Sequence, residues 1–295
     1  MSFSWPKGYS ENLPVNHRHG IYPTIDPEEA WKAQTFTGKV VLVVGASRGI
    51  GQTVALFYAK AGASVAIAGR HQVTLDKTKE MILNEKGDAQ VMTCCVDVKD
   101  SGAARVSVES VIRNWQRLDI LVANSGATNA FDKTMVERDA EDWWEVFTVN
   151  VKGVYNFIRA GSPHLEKTGG YLVVMSSIGA QLRTPLGSEY NISKHTLNRL
   201  VEYVVQESPQ IRGSFALHPG SVRTELLKTS KLEELGAPAD DPPELAAAVV
   251  LYLTSGKADW LNGRYVDASW DFDEVERNWK DKILTEDLLI NKLAV

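Results

Sequence analysis

Two side chains with acid–base potential lie four residues apart in the segment from Ser188 to Arg199. On a helix, Tyr190 and Lys194 would project from the same face about one turn apart. A free tyrosine has a pKa of about 10 and is a poor proton donor or acceptor at neutral pH, but a nearby ammonium stabilises the phenolate and lowers that pKa. The pair therefore predicts a tyrosine acid–base catalyst, although the spacing alone recurs by chance in many helices.

A hydroxyl and an amide could complete this arrangement. Ser176 and Ser177 close the apolar segment Tyr171 to Met175, and a hydroxyl at the carboxyl end of a strand can donate a hydrogen bond to a substrate oxygen that gains negative charge. Asn150 precedes that strand in a long predicted helix, where it can fix the backbone and an ordered water that relays protons to Lys194. A structural role stays open for each residue, because strand-end serines commonly cap helices.

A glycine-rich turn follows the first predicted strand in the segment VVGASRGIGQT. Glycines there let a pyrophosphate approach the backbone N–H groups of the next helix, whose N-terminus favours an anion. The spacing G-x-x-x-G-x-G differs from the fingerprint G-x-G-x-x-G, and the glycines could simply permit a tight turn. The residues predicted to contact a dinucleotide are Gly45, Ser47, Gly49, Ile50 and Gly51.

Two arginines bear on the choice of dinucleotide. Proteins that bind NAD place an acid at the end of the second strand, where it would repel the 2′-phosphate of NADP. Here the predicted strand Ser64 to Ala68 is followed by Gly69 and Arg70, and Arg48 lies in the glycine turn. Guanidinium groups form bidentate bonds to phosphate, so the pair predicts NADP(H). The alternative is that both arginines are solvated surface charges.

The composition excludes several classes of protein. The chain has 295 residues, 44% of them hydrophobic and 23% charged, and a net charge of −5. It lacks the basic surface that nucleic-acid binding requires, and we expect no nucleic-acid partner. No apolar run is long enough for a membrane span, and the first residues lack a signal-peptide core. We expect a cytoplasmic protein with no membrane partner.

The cysteines and histidines indicate no disulfide or metal. Cys94 and Cys95 stand side by side in the apolar run Val91 to Val98 and are predicted to be small buried strand residues in a reducing compartment. The histidines show no metal-ligand spacing and no matching carboxylate cluster. We therefore predict that there is no catalytic metal.

Short apolar strands alternate with amphipathic helices along most of the chain. This pattern predicts an α/β fold: a single doubly wound Rossmann-type domain over residues 38–267, with about seven parallel strands and helices on both faces. Residues 1–37 are predicted to be an arm whose short helix is capped by Asp26, begins at Pro27 and ends near Gln34. Residues 224–241 form a predicted substrate lid, and residues 268–295 a helical tail packed on the core or on another subunit.

The glycine turn, Ser177, Tyr190 and Lys194 together resemble the short-chain dehydrogenase/reductase family, in its form of roughly 250 residues. The resemblance extends from Gly38 to Asp267, and the spacing of thirteen residues from Ser177 to Tyr190 matches. It implies a catalytic tetrad of Asn150, Ser177, Tyr190 and Lys194, in which Lys194 also bonds the nicotinamide ribose.

Three further segments resemble family motifs that contact the cofactor. Two positions depart from the family pattern, because Val44 replaces the usual Thr and Ser125 the usual Ala; both affect local hydrogen bonding. The resemblance implies an adenine-contacting pair, a segment that supports the sheet and lines the cofactor, and a segment at the nicotinamide carboxamide. These are, in that order, Asp97 with Val98; Asn124, Ser125 and Gly126; and Pro219, Gly220, Val222 and Thr224.

These features predict reduction of a ketone or aldehyde by NADPH, in which Tyr190 protonates the alkoxide and Ser177 holds it. Oxidation of a secondary alcohol is the reverse reaction, and mass action selects the direction. The alternative is an NADP-binding protein that is catalytically idle or assists a non-redox biosynthetic step.

We expect an apolar substrate and, from the resemblance, a homo-dimer or homo-tetramer. The expected pocket walls are Ile178 to Leu186, Phe131, Trp143 or Trp144, and the lid, although these side chains could equally belong to the core.

Overall fold

The computed structural model describes residues 7–293, and a seven-stranded parallel sheet forms its centre. The strand order is β3-β2-β1-β4-β5-β6-β7, which reverses direction between β1 and β4. Such a reversal opens a crevice at the carboxyl ends of the strands, where doubly wound folds bind their ligands. The strands are β1 Val40–Val44, β2 Ser64–Gly69, β3 Val91–Cys95, β4 Ile120–Ala123, β5 Tyr171–Met175, β6 Gly213–His218 and β7 Arg264–Asp267.

Helices cover both faces of this sheet. The helices are α1 Glu28–Ala33, α2 Gly49–Lys60, α3 Gln72–Glu85, α4 Ser101–Trp115, α5 Ala140–Phe147, α6 Gly153–Thr168, α7 Ser188–Glu207, α8 Glu225–Ser230, α9 Pro243–Leu253 and α10 Phe272–Thr285. Alternate residues of β1 belong to two hydrophobic clusters: Val41 and Val43 pack with α2, α3, α9 and α10, while Leu42 packs with α4, α6 and α7. A strand buried on both faces carries an unbroken apolar run, which is the pattern of β1.

The predicted fold class is confirmed, with differences in detail. The long helix predicted before β5 is divided, because a π-helical turn at Thr148–Lys152 separates α5 from α6. Helix α1 begins at Glu28 rather than at Pro27, and the carboxylate of Asp26 accepts the Glu28 N–H at 3.0 Å. The segment predicted to be a lid contains the short helix α8.

One of the two cysteines was predicted wrongly. Cys94 is buried, as expected, but Cys95 is exposed. Strand β3 is the edge strand of the sheet, so the last residue of that strand is not covered on both sides. The Cys95 thiol lies 3.5 Å from the carbonyl oxygen of Arg70.

The N-terminal arm and the C-terminal tail bind each other across one end of the sheet. The Arg18 guanidinium donates to the Asp271 carboxylate at 2.8 Å from Nε. The Tyr22 hydroxyl donates to the carbonyl oxygen of Trp270 and accepts the N–H of Phe272. Trp270 is fully buried in the cluster that contains α9 and α10. Its indole thus packs the tail against the core, while its backbone binds the arm.

We expect Trp270→Ala to lower the free energy of unfolding by about 3–5 kcal/mol, because it removes a large side chain from a packed interior. Chemical denaturation followed by circular dichroism would measure the change as a lower midpoint. Trp144→Ala is the matched control, since Trp144 is 58% exposed, and its midpoint should move little. Equal effects of the two substitutions would contradict this account of the tail.

Candidate active site

The carboxyl ends of the strands open onto a cavity of about 1470 Å³. Most residues singled out from the sequence line it, so residues far apart in the chain meet in one place. Two of them, Gly51 and Asn150, lie behind its wall. The predicted residues at its surface are Gly45, Ser47, Arg48, Gly49, Ile50, Arg70, Asp97, Val98, Asn124, Ser125, Gly126, Ser177, Tyr190, Lys194, Pro219, Gly220, Val222 and Thr224.

The glycine turn after β1 is held tightly against the turn after β4. Gly45 has a φ of +82°, and a Cβ there would lie 2.8 Å from the backbone nitrogen of Ser125. A Cβ on Gly51 would lie 2.3 Å from the carbonyl oxygen of Gly45, to which Asn124 Nδ2 donates at 2.9 Å. Only glycine fits these close approaches. The result is an open backbone cradle at the N-terminus of α2, which suits the pyrophosphate of a dinucleotide.

Two arginines stand at the β1–β2 end of the cavity. Arg48 and Arg70 are both exposed and line it. Neither has a carboxylate within 4 Å among residues 7–293. The nearby Glu145 carboxylate is instead paired with Lys99 at 2.7 Å, and Asp97 lies 4.0 Å from the same ammonium. The two guanidinium groups are therefore free to bind an anion.

Asn150 supports the cavity from behind. Its side chain is fully buried in the π-helical turn between α5 and α6. The amide oxygen accepts the N–H of Ala127 at 2.7 Å, and Nδ2 donates to the Ala127 carbonyl at 3.0 Å and to the Ser193 hydroxyl at 2.9 Å. Asn150 thus fixes the backbone after β4, as the sequence suggested. The water that it was also expected to hold stays a prediction.

Lys194 places an ammonium between the ends of β4 and β5. The side chain is 3% exposed, and Nζ donates to the carbonyl oxygen of Met175 at 2.6 Å. On the other side, a Cβ on Gly126 would lie 3.6 Å from Nζ. Because burial disfavours the charged form, the pKa of Lys194 falls from 10.5 to about 8. Its position and its proton affinity are thus both set by the surrounding fold.

Tyr190 lies beside this ammonium, but its pKa moves opposite to the direction predicted from the sequence. Lys194 Nζ is 5.6 Å from the centroid of the Tyr190 ring. Burial raises the pKa of Tyr190 above its ordinary value of 10, and a hydrogen bond with Ser177 opposes this only in part. The expected lowering by Lys194 is therefore wrong in this structure, because the cost of desolvating the phenolate dominates.

Sequence reasoning missed a buried ion pair beside Tyr190. Arg138 and Glu189 have side chains only 7% and 2% exposed, and Arg138 Nε lies 3.3 Å from Glu189 Oε1. Asn129 Nδ2 donates to the same carboxylate oxygen at 3.1 Å. The pair ties the loop after β4 to the start of α7, immediately before Tyr190. No local pattern marks it, since the two residues come from separate segments.

The expected walls of the pocket are only partly correct. Phe131 lines the cavity and packs against the Tyr190 ring, with their centroids 6.1 Å apart. Trp143 and Trp144 do not line it. The Trp143 indole donates to the Ser188 hydroxyl at 3.1 Å and stacks on Phe147.

Two chain segments close the sides of the cavity. The segment predicted to be a lid, residues 224–241, is held at its base, where a backbone bridge joins Val222 to Asp241 and Asp241 Oδ2 accepts the Ser221 N–H at 2.6 Å. Residues of the N-terminal arm, including Tyr9 and Leu13, also line the cavity, and His19 Nδ1 of the arm lies 2.6 Å from Asp241 Oδ1. The sequence did not assign the arm to the site. Within residues 7–293 no three His, Cys, Asp or Glu side chains are grouped so that they could hold a metal ion. No helix of that same range is long and apolar enough to cross a membrane.

Solved structures share this architecture. Carveol dehydrogenase from Mycobacterium avium, solved in complex with NAD, superposes with a TM-score of 0.71 at 25% identity, covering 79% of this chain and 97% of that protein. The 3-ketoacyl-(acyl-carrier-protein) reductase from Brucella melitensis, complexed with NADH, gives a TM-score of 0.71 at 27% identity, covering 79% and 97%.

Similarity in sequence to known proteins extends over most of the chain. A family model described as short chain dehydrogenase matches residues 39–235. The short chain dehydrogenase mpl6 of Monascus purpureus is 37% identical over 282 residues, which cover 93% of this chain and 94% of that protein. Matches of this extent cover the glycine turn, the strand ends and the tyrosine–lysine helix alike. The chain belongs to the short-chain dehydrogenase/reductase family of oxidoreductases.

Proposed function

We propose that this chain interconverts a ketone or aldehyde and an alcohol with NADP(H), and that Tyr190 is the acid–base catalyst. The observation that carries the proposal is the convergence of Ser177, Tyr190 and Lys194 on one cavity that also contains the glycine cradle. The Ser177–Tyr190 hydrogen bond and the ammonium beside the Tyr190 ring place donors where a substrate oxygen would become negative.

The residues around the cavity fit a bound dinucleotide from end to end. The backbone cradle would take the pyrophosphate, and Arg48 and Arg70 the 2′-phosphate. When bound, the nicotinamide supplies or accepts hydride. The residues proposed for the adenine are Asp97 and Val98, and those for the remainder are Asn124, Ser125, Gly126, Pro219, Gly220, Val222 and Thr224, with Lys194 on the ribose.

The protein groups then have complementary tasks in reduction. Ser177 donates a hydrogen bond to the substrate oxygen, and Tyr190 transfers its proton to the alkoxide. Tyr190 is protonated at neutral pH, but burial raises its pKa and makes the phenol a weaker acid, so the transfer depends on stabilisation of the phenolate that forms. Lys194 stabilises the phenolate that remains. Oxidation of the alcohol needs the phenolate at the start, so the same pKa favours oxidation only at higher pH.

The two free guanidinium groups support NADP(H) over NAD(H). A 2′-phosphate carries a charge that both Arg48 and Arg70 can bind, whereas a ribose hydroxyl needs an acceptor such as a carboxylate. Strand β2 ends at Gly69 without an acid. Relatives of the same family have been solved with NAD and with NADH, so the preference rests on these arginines and not on the fold.

We also propose that the protein is a cytoplasmic homo-dimer or homo-tetramer with no nucleic-acid partner. Residues 38–267 are the proposed catalytic domain, between the arm and the tail. An idle or non-redox NADP-binding protein is the second candidate, and no observation in the structure favours it. Cofactor binding without oxidation of NADPH on any carbonyl would support it.

We expect Tyr190→Phe to lower carbonyl-dependent oxidation of NADPH by about a hundredfold to ten-thousandfold, because it removes the transferred proton together with the hydrogen bond to Ser177. Absorbance of the reduced nicotinamide would follow turnover, and fluorescence titration would show that NADPH still binds. Tyr155→Phe is the matched control, since Tyr155 is 49% exposed. A Tyr190→Phe variant with full activity would refute the assignment.

We expect Arg48→Ala and Arg70→Ala each to weaken NADPH binding by about tenfold or more, since each removes a charge-assisted bond to phosphate. Binding of NADH should change little, and titration of both nucleotides would separate the two effects. Arg105→Ala serves as control, because this exposed arginine is paired with Glu109 away from the cavity. If the unaltered protein bound NADH tenfold more tightly than NADPH, this reading of the arginines would be wrong.

A further inference from the structure

The arm encloses the end of the cavity that lies farthest from the two arginines. Its residues 9–19 contribute to the lining together with His218 and Asp267 at the ends of β6 and β7. Near its start, Lys7 bridges to the backbone of Arg183, in the loop that follows Ser177. The arm thus spans from the proposed catalytic serine to the outer strand β7. It lies outside the residues that the family model matches.

A polar cluster lines this end of the cavity. Asp267 Oδ1 accepts the backbone N–H of Ser269 at 2.9 Å and its hydroxyl at 2.7 Å, and His17 Nδ1 lies 2.7 Å from that same hydroxyl. Asp241 Oδ1 lies 2.6 Å from His19 Nδ1. Two nearly buried carboxylates are therefore held in place by hydrogen bonds from the arm and from neighbouring loops.

His218 stands in this cluster with an unused ring nitrogen. The residue is 8% exposed and lines the cavity, and among the described residues its buried Nδ1 has no hydrogen-bond partner. Burial lowers the pKa of His218, and the charges of Asp267 and Asp241 only partly oppose this. The ring is therefore neutral at pH 7, with one donor and one acceptor. A buried polar group without a partner is costly, and a ligand can supply the missing bond.

The charge of the cluster indicates which ligand it would accept. Within residues 7–293, the exposed His19 imidazole is the one basic side chain that forms an ion pair within 4 Å with Asp241, and Asp267 forms none. After burial, these two carboxylates are the causes that raise the pKa of Tyr9, which also lines the cavity. An acidic field of this kind favours hydrogen-bond donors and repels anions. The opposite end of the cavity, at Arg48 and Arg70, has the reverse preference.

From these observations we propose that the arm, His218, Asp241 and Asp267 form a substrate subsite for a hydrogen-bond donor, a hydroxyl or an amine. This donor lies on the substrate away from the reacting carbonyl. The inference rests on the proposed function and names its substrate class. It also refines the expectation of an apolar substrate, because the far end of the pocket is polar.

The strand order sets the length of such a substrate. Ser177 follows β5, while Asp267 ends β7, two strands farther along the sheet. Neighbouring strands are about 4.8 Å apart, so the two ends are separated by about 10 Å. A ketone with a phenolic hydroxyl across one aromatic ring and a short linker spans roughly this distance.

A matched set of ketones tests the subsite. The probes are para-hydroxyphenyl butanone, its methyl ether and its para-carboxylate analogue, each with NADPH as reductant. The hydroxyl probe should have a kcat/KM about tenfold or more above the other two, because only it can donate to the cluster. Calorimetry with NADP+ and each probe should show the same order in Kd.

Variants then locate the preference. His218→Leu should reduce the ratio of hydroxyl to methyl ether to near one, and Asp267→Asn should weaken rejection of the carboxylate by about tenfold. Asp267→Asn is nearly isosteric, so it keeps the test open if His218→Leu does not fold. His164→Leu is the control, since His164 lies on α6 outside the cavity, and it should leave the ratio unchanged.

The outcomes separate the subsite from the proposed reaction. Reduction of all three probes at equal kcat/KM would overturn the subsite and leave the function standing. Preferential binding of the hydroxyl probe without turnover, lost in His218→Leu, would support the subsite and count against the function. Failure of every probe to bind would overturn the subsite.

Discussion

The site is organised around a buried ammonium. Lys194 Nζ is held by the carbonyl oxygen of Met175 in a gap between two strand ends, and no described carboxylate lies within 4 Å of it. Its pKa of about 8, against an ordinary 10.5, corresponds to a destabilisation of the ammonium by about 3 kcal/mol relative to an exposed lysine. The unfolded chain binds this proton more tightly, so the free energy of unfolding should rise as the pH increases from about 8 to 10.5. Such a cost is expected at a site whose chemistry uses the charge, as proposed for Lys194.

The parallel sheet arranges the rest of the cavity around that charge. Each strand delivers its last residues to one edge, so the strand order becomes the order of chemical environments along the cavity. Arg70 follows β2, Ser177 follows β5, and Asp267 ends β7. The regions proposed to bind an anion, to carry out the reaction and to bind a hydrogen-bond donor thus follow one another. The predicted lid and the described residues of the arm contain no strand and close the sides of the cavity.

Much of the core could be predicted from the sequence because its signals are local. The apolar runs and helical spacing predict the sheet, and the tyrosine–lysine spacing on α7 predicts two side chains on one face. The contacts of the arm could not be predicted in this way. Arg18 and Asp271 are 253 residues apart in the chain. The bridge from His17 to Trp270 joins backbone groups, and no residue type indicates which backbone groups will pair.

The pKa shifts in the site could not be predicted from the sequence for a similar reason, because they depend on contacts between distant segments. Proximity of Lys194 predicts a lower pKa for Tyr190, but burial acts in the opposite direction and dominates. Burial depends on side chains such as Phe131, which come from other segments. The partner of Lys194 is a backbone carbonyl, which any residue at position 175 would provide. No local sequence pattern predicts the ion pair between Arg138 and Glu189 either.

The most direct test of the central claim is the pKa of Lys194 itself. Protein labelled with nitrogen-15 lysine can be titrated by NMR, with the Lys194 signal identified by its loss in Lys194→Arg. Because the ammonium is buried, we expect a midpoint of about 8. A midpoint at the ordinary value of 10.5 would show that the ammonium is solvated, and the proposed arrangement of the site would be contradicted.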